Sequence, residues 1–253
     1  MPTYRLSICY DGTDFCGWQR QKNGPSVQAV LEEALSSLCK EPVSCQGAGR
    51  TDSGVHALGQ VVSIKLSRAF PEKALLYGTN NHLPKSVVVL SAELVSDDFD
   101  ARHSASGKLY RYQIWNRKIR SPLHDRTHWH VSVPLDLLRM QEAATVLLGK
   151  HDFRAFRAST CDRHNTVRTM KRIDVFSSMQ EPASVYIEVE GTAFLRNMVR
   201  IFSGTLVAVG KGQMTAEQVR QALASGARSQ AGSTAPAHGL LLVRVDYGPR
   251  TET

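Results

Sequence analysis

The chain has 253 residues, 42% of them apolar, which is enough to bury a sizeable core in one large or two small domains. Lys and Arg outnumber Asp and Glu by 31 to 23, giving a formal charge of +8, and no apolar run approaches the roughly 18 residues of a membrane span. Charged residues make up 21% without low-complexity tracts, and Met1–Arg5 runs straight into a strand pattern; disordered, fibrous, membrane and secreted-miniprotein classes are excluded, and no secretory signal is expected.

The charge is uneven. Met1 to Gly107 carries 10 basic and 11 acidic residues, whereas Lys108 to Thr253 carries 21 and 12, a net +9. A solvated basic surface would account for this, but so would a polyanionic partner met mainly by the C-terminal half. The cysteines (Cys9, Cys16, Cys39, Cys45 and Cys161) are odd in number and form no CxxC, which predicts free thiols in a cytoplasmic protein. His124, His128 and His130 cluster in sequence. They lack an HExxH or a neighbouring carboxylate pair, so no metal site is expected.

In chain order, Tyr4–Tyr10 alternates as a strand and Asp11–Asp14 reads as a loop. Ser26 is placed to cap a helix running to about Cys39, with Val27, Val30, Leu31, Ala34, Leu35 and Leu38 on its apolar face. Val43–Gly49 and Gln60–Leu66 read as strands, Pro71 opens a helix through Leu76, and Val87–Val95 is a β-branched strand. This β-α-β-β-α-β order is ferredoxin-like. The second half repeats it loosely. Leu109–Trp115 is a strand, and Leu135–Leu148 a helix ended by Gly149. Arg168–Phe176 and Val185–Glu190 are strands. Phe194–Val209 is a helix ended by Gly210, Thr215 caps a helix through Ala224, and Leu240–Asp246 closes as a strand. The fold class expected is α+β: two related ferredoxin-like halves with mainly antiparallel sheets, residues 1–105 and 106–253, and a ligand cleft between them.

The most unusual segment is Gly47–Ala57, in which three glycines, an Arg and an Asp lie between apolar strands. It fails as a dinucleotide fingerprint, because Asp52 stands at the third glycine position. It also fails as a P-loop, because Gly-Lys-Ser/Thr is missing. Asp52-Ser53-Gly54 has the form of an aspartic protease half-site, which would need a second carboxylate from another chain. It also suits a single catalytic Asp on a rigid glycine-bracketed loop. An ordinary glycine turn explains the tripeptide in isolation.

The wider pattern narrows these readings. Gly49–Ala57 resembles the signature of tRNA pseudouridine synthases of the A type. Tyr10–Gln19 resembles that family's opening motif, and Phe99–Ala105 with Lys108–Tyr112 its middle. Phe194–Arg200 and Ala237–Leu242 resemble its closing motifs. Ser53 departs from the usual Ala, and Lys85-Ser86 from an acidic-apolar pair; neither is at a catalytic position.

The resemblance implies a cofactor-free, metal-free isomerase that converts uridine to pseudouridine at positions 38 to 40 of the tRNA anticodon stem-loop. It also implies a homodimer. It assigns the catalytic aspartate to Asp52, an active-site Arg to Arg200 and an active-site Tyr to Tyr110, whose ring suits stacking on a flipped uracil. Arg50 is linked to holding the target nucleotide out of the stack, and Leu240 to lining the uracil pocket. Arg196, Lys22, Lys108 and Arg111 are expected RNA contacts. Arg196 and Arg200, at i and i+4, are expected on one face of the Phe194–Val209 helix, with Arg200 pairing with Asp52. Two rivals are a non-catalytic RNA-binding protein, which lacks the RNP1 aromatic pattern, and the Asp-Ser-Gly protease, whose flanks Arg50 and His56 are polar.

Overall fold

A computed structural model describes residues 1–22, 24–159, 161 and 164–248. By contacts the chain divides into unit 1, Met1–Ser106 with the segment from Leu242 onward, and unit 2, Gly107–Leu241. The first crossing lies one residue from the expected 105/106 boundary. The closing strand, however, is shared: it starts in unit 2 and ends in unit 1. A side chain at Gly59 would stand 2.7 Å from the Val243 carbonyl, so that glycine admits the returning backbone into unit 1.

Unit 1 begins with β1 (Thr3–Tyr10), in which Tyr4, Leu6, Ile8 and Tyr10 alternate into the core. Helix α1 (Val27–Cys39) is capped by Ser26, whose side chain accepts from the Ala29 N–H, and is ended by left-handed Lys40. Then come β2 (Cys45–Gly47), β3 (His56–Lys65), α2 (Glu72–Asn80) and β4 (Val87–Val95). β3 pairs antiparallel with both β1 and β2, and β4 pairs antiparallel with β1. The order β4-β1-β3-β2 is that of a ferredoxin-like split βαβ. Helix α2 runs past Leu76 because Gly78 does not stop it: a Cβ there would lie 2.6 Å from Leu38, so this glycine is where α2 meets α1.

Unit 2 contains β5 (Ala105–Trp115, which begins at the end of unit 1), β6 (Trp129–His130), α3 (Leu137–Thr145), β7 (Gly149–Asp152), β8 (Val167–Ser177), β9 (Ser184–Gly191), α4 (Met198–Gly210) and α5 (Ala216–Ser225). The order β5-β9-β8 is antiparallel and repeats β1-β3-β2 of unit 1, with β7 added beyond β8 and β6 parallel on β5. Phe153, Phe156 and Phe202 form an edge-to-face cluster with centroids 5.2–6.3 Å apart. Helix α5 has the full Thr215–Gln218 capping box. β10 (Leu240–Tyr247) closes the chain. No helix among the described residues is long and apolar enough to cross a membrane.

Each unit blocks an exposed strand edge in the same manner. In unit 1 the Asn80 side chain, at the end of α2, donates to the Val89 carbonyl and accepts from its N–H, at 2.9 and 2.8 Å. In unit 2 Gln141 of α3 donates to the Ile173 carbonyl and accepts from the Val175 N–H, at 3.2 and 2.7 Å. A primary amide carries one donor side and one acceptor, like a peptide, so each replaces a rung of the ladder.

Candidate active site

In unit 1 the Asp52 loop is locked by the segment after β1. The Thr51 carbonyl accepts from the Trp18 N–H (3.1 Å), and the Thr51 hydroxyl lies 2.8 Å from the buried Tyr10 hydroxyl. The Phe15 carbonyl accepts from the Gly54 N–H and the Ser53 hydroxyl. The Gln60 side chain donates to the Gly49 carbonyl at 2.8 Å. The turn itself closes through Val55 N–H to the Asp52 carbonyl (3.2 Å), with Gly54 at φ 77°. Two glycines of the opening motif make this possible. A Cβ at Gly12 would be 2.0 Å from the Val55 carbonyl oxygen, and one at Gly17, where φ is 105°, 2.6 Å from that of Thr51. The motifs Tyr10–Gln19 and Gly49–Ala57 are thus one interlocked structure, held by hydroxyl and backbone bonds that no sequence period displays.

The result is a half-buried Asp52 on backbone that has almost no freedom. Burial pushes the Tyr10 hydroxyl well above its ordinary range, so it stays a neutral partner of Thr51. His56, buried next to the loop, has its Nδ1 3.1 Å from both the Gly12 N–H and Asp11 Oδ1. One ring nitrogen either accepts from Gly12 or donates to Asp11, so the two contacts are alternatives. Arg50 is exposed and donates through Nε to Gln19 Oε1 at 3.1 Å; Lys22 is exposed on the same opening segment.

Unit 2 brings together a second group. Tyr110 on β5 is buried and meets Phe194 edge-on at 5.0 Å. Tyr112, two residues on and on the same face, is fully buried and donates to the Pro236 carbonyl at 2.8 Å. The Gly239 backbone sits against the Tyr112 ring, next to buried Leu240. Arg200 on α4 donates from Nε to the Ala235 carbonyl (2.8 Å) and from Nη1 to Asn197 Oδ1 (3.1 Å), while its own carbonyl accepts from the Ala235 N–H. Burial raises the Tyr112 hydroxyl pKa, opposed in part by the Arg200 charge.

The strap that fixes Arg200, residues 232–236, lies directly on α4. A Cβ on Gly204 would be 1.9 Å from the Ser233 carbonyl oxygen, and the Gly232 N–H donates to the Thr205 hydroxyl at 2.9 Å.

One expectation changes. Helix α4 starts at Met198, because Asn197 takes a left-handed conformation (φ 61°), so Arg196 precedes the helix and does not share a helical face with Arg200. Arg196 is exposed, and its carbonyl accepts from the Ala158 N–H. The strand alternation also puts Arg111 on the face opposite Tyr110, where its guanidinium donates to Glu188 at 2.9 and 2.6 Å and lies over the Tyr186 ring. Lys108 shares the Tyr110 face. Phe194 and Asn197 were not singled out as individual site residues. Asn197 does not cap α4 with its side chain, which accepts from Arg200 instead; its backbone takes the left-handed conformation that Asn tolerates better than most residues.

The model of the tRNA pseudouridine synthase family matches residues 7–104 and 143–248. A protein of Syntrophotalea carbinolica named tRNA pseudouridine synthase A is 50% identical over 99% of this chain and 98% of its own length. Relatives of the same name from Myxococcus xanthus and Agrobacterium fabrum are each 48% identical, over 100% and 98% of this chain and 96% and 93% of their own lengths. With both interlocked motifs of unit 1 and the Arg200 helix of unit 2 inside the matched regions, the chain belongs to the tRNA pseudouridine synthase family.

Proposed function

We propose that the protein isomerises uridine to pseudouridine in tRNA, at positions 38 to 40 of the anticodon stem-loop. The observation that carries this reading is the 50% identity to a tRNA pseudouridine synthase A across 99% of the chain. In this reaction the N1–C1′ bond breaks, the base turns, and C5 bonds to C1′. The proton leaving C5 is balanced by one gained at N1. Nothing is oxidised and no group is imported, so the chemistry calls for no cofactor. Asp52 is the reacting carboxylate, acting as a nucleophile toward base or sugar or as a base toward a sugar proton. Its rigid loop supports this role, since a reacting group held in place has no ordering cost left to meet. Tyr110 is the ring on which the uracil stacks, with Leu240 beside it, and Arg200 is the active-site cation. Arg50 holds the nucleotide out of the stack. Arg196, Lys22, Lys108 and Arg111 are RNA contacts, of which Arg111 must also serve Glu188. The working protein is a cytoplasmic homodimer.

The test is to incubate the protein with unmodified tRNA transcripts and map pseudouridine by position, alongside Asp52→Asn. Product at 38 to 40 with wild type, and none with the variant despite retained tRNA binding, is expected. Wild type that binds these transcripts without modifying them sinks the proposal. Near-wild-type product from Asp52→Asn removes that residue from the mechanism.

A further inference from the structure

Strand β5 ends at Trp115, and the chain does not turn straight into β6. Residues 116–128 form a loop that is fixed along its length. The Trp115 indole N–H donates to the Ile119 carbonyl at 3.1 Å, and the Trp115 ring stacks on His124, with centroids 4.3 Å apart and planes 11° apart. His124 Nε2 lies 3.0 Å from Glu181 Oε2, and its Nδ1 2.9 Å from the Ser121 hydroxyl. His130 bonds the Arg117 carbonyl at 2.8 Å, and Gln113 the Thr127 carbonyl at 2.9 Å.

What this scaffold presents is unusual. Arg117, Lys118, Arg120 and Arg126 are exposed, against a single acid, Asp125, which pairs with Arg120 at 2.7 Å. Between and after them stand Ile119 and Leu123, 77% and 88% exposed. Scattered surface apolar residues need no explanation. Two on one rigid, strongly basic loop fit a partner with anions at regular intervals and flat apolar surfaces between them. Nucleic acid has that chemistry: phosphates outside, with ribose and base faces between.

We propose that residues 117–126 form a further RNA-contact element, with Lys118 and Arg120 on phosphates and Ile119 and Leu123 against ribose or base faces of the substrate tRNA. This rests on the tRNA reading above. Trp115 lies five residues along β5 from Tyr110, about 17 Å at the rise of a strand, and by alternation it is on the opposite face, that of Arg111. Stacked nucleotides cover that distance in about five steps of 3.4 Å. An RNA that places a base at Tyr110 reaches the loop by passing the end of β5, a path of more than those five steps.

The experiment measures binding of unmodified tRNA transcript against salt for wild type, Lys118→Ala/Arg120→Ala and Leu123→Asp, with thermal unfolding of each. Loss of two phosphate contacts is expected to flatten the log–log salt slope by about 1.4–1.8. Leu123→Asp is expected to weaken binding roughly tenfold, the loss expected of one apolar contact, and all three proteins should melt together because the altered side chains are exposed. Unchanged affinity and slope overturn the proposal. So does a loss confined to binding of anionic phosphatidylglycerol vesicles, which would mark a membrane-facing loop. Because the readout is binding, it is independent of product: wild type that binds tRNA but makes no pseudouridine ends the catalytic reading and leaves the loop to stand or fall on its slope.

Discussion

His128 is the residue with the clearest titration consequence. It is buried, its Nδ1 lies 2.9 Å from the Thr127 hydroxyl, and its Nε2 has no hydrogen-bond partner among the described residues. Burial lowers its pKa to about 4 from 6.5, with His124 and His238 acting in the same direction and Glu181 opposing. The folded state therefore keeps the ring neutral through a range in which the unfolded chain takes up a proton. Stability is full above about pH 6.5 and declines as pH falls toward 4, by at most about 3 kcal/mol at 1.36 kcal/mol per unit. Melting temperature against pH should show this limb, and His128→Phe should flatten it; an unaltered limb would assign the loss to another group. A second residue-scale expectation concerns Gly12. Gly12→Ala forces a Cβ to within 2.0 Å of the Val55 backbone oxygen, so the Asp52 turn must move. A loss of about 2–4 kcal/mol, read by denaturant unfolding, and a fall in single-turnover rate of tenfold or more are expected. At this scale the segments that carry Asp52, Tyr110 and Arg200 were legible because motifs mark them. Their neighbours were not, since Thr51 meeting Tyr10 and Ala235 meeting Arg200 are contacts between segments far apart in sequence.

At the scale of elements, the amide plugs on β4 and β8 make the sharper prediction. Asn80→Ala removes both halves of the Val89 rung and leaves a strand edge with Val88 and Leu90 exposed. A loss of about 1–3 kcal/mol is expected, from two hydrogen bonds near 1 kcal/mol each. Concentration-dependent light scattering should rise as well, because an unplugged apolar edge templates pairing. Asn80→Asp keeps the acceptor but not the donor and should fall between. Equal behaviour of all three proteins would mean that water serves the edge as well as the amide does. Elements with a strong period were readable, as β1, α1, β4 and α5 illustrate. β7 was not: Gly149-Lys150-His151-Asp152 has no apolar alternation and is a strand only through its pairing with β8. The start of β3 was equally hidden, because His56–Gly59 reads as loop until Ala57 is seen opposite Tyr10.

At the scale of the whole molecule, a net +9 from Lys108 onward predicts tRNA binding that weakens steeply with salt, each neutralised phosphate adding about 0.7–0.9 to the log–log slope. A slope near zero from filter binding at several salt concentrations would return this charge to the role of solvated surface. The division into two related halves was legible from the repeated order of elements. The return of the final strand to unit 1 was not, because the strand's apolar residues look alike whichever unit receives them. That return has a consequence in time. Everything from Gly107 to Leu241, 135 residues, is made between the bulk of unit 1 and its last strand. At about 5–20 residues per second, the nascent Asp52-bearing unit waits roughly 7–27 s with a place open beside Gly59. It cannot finish as an independent first product of the ribosome; it is completed only after unit 2 has been made, and a transcript cut short just after Leu241 would yield a protein flawed at its beginning.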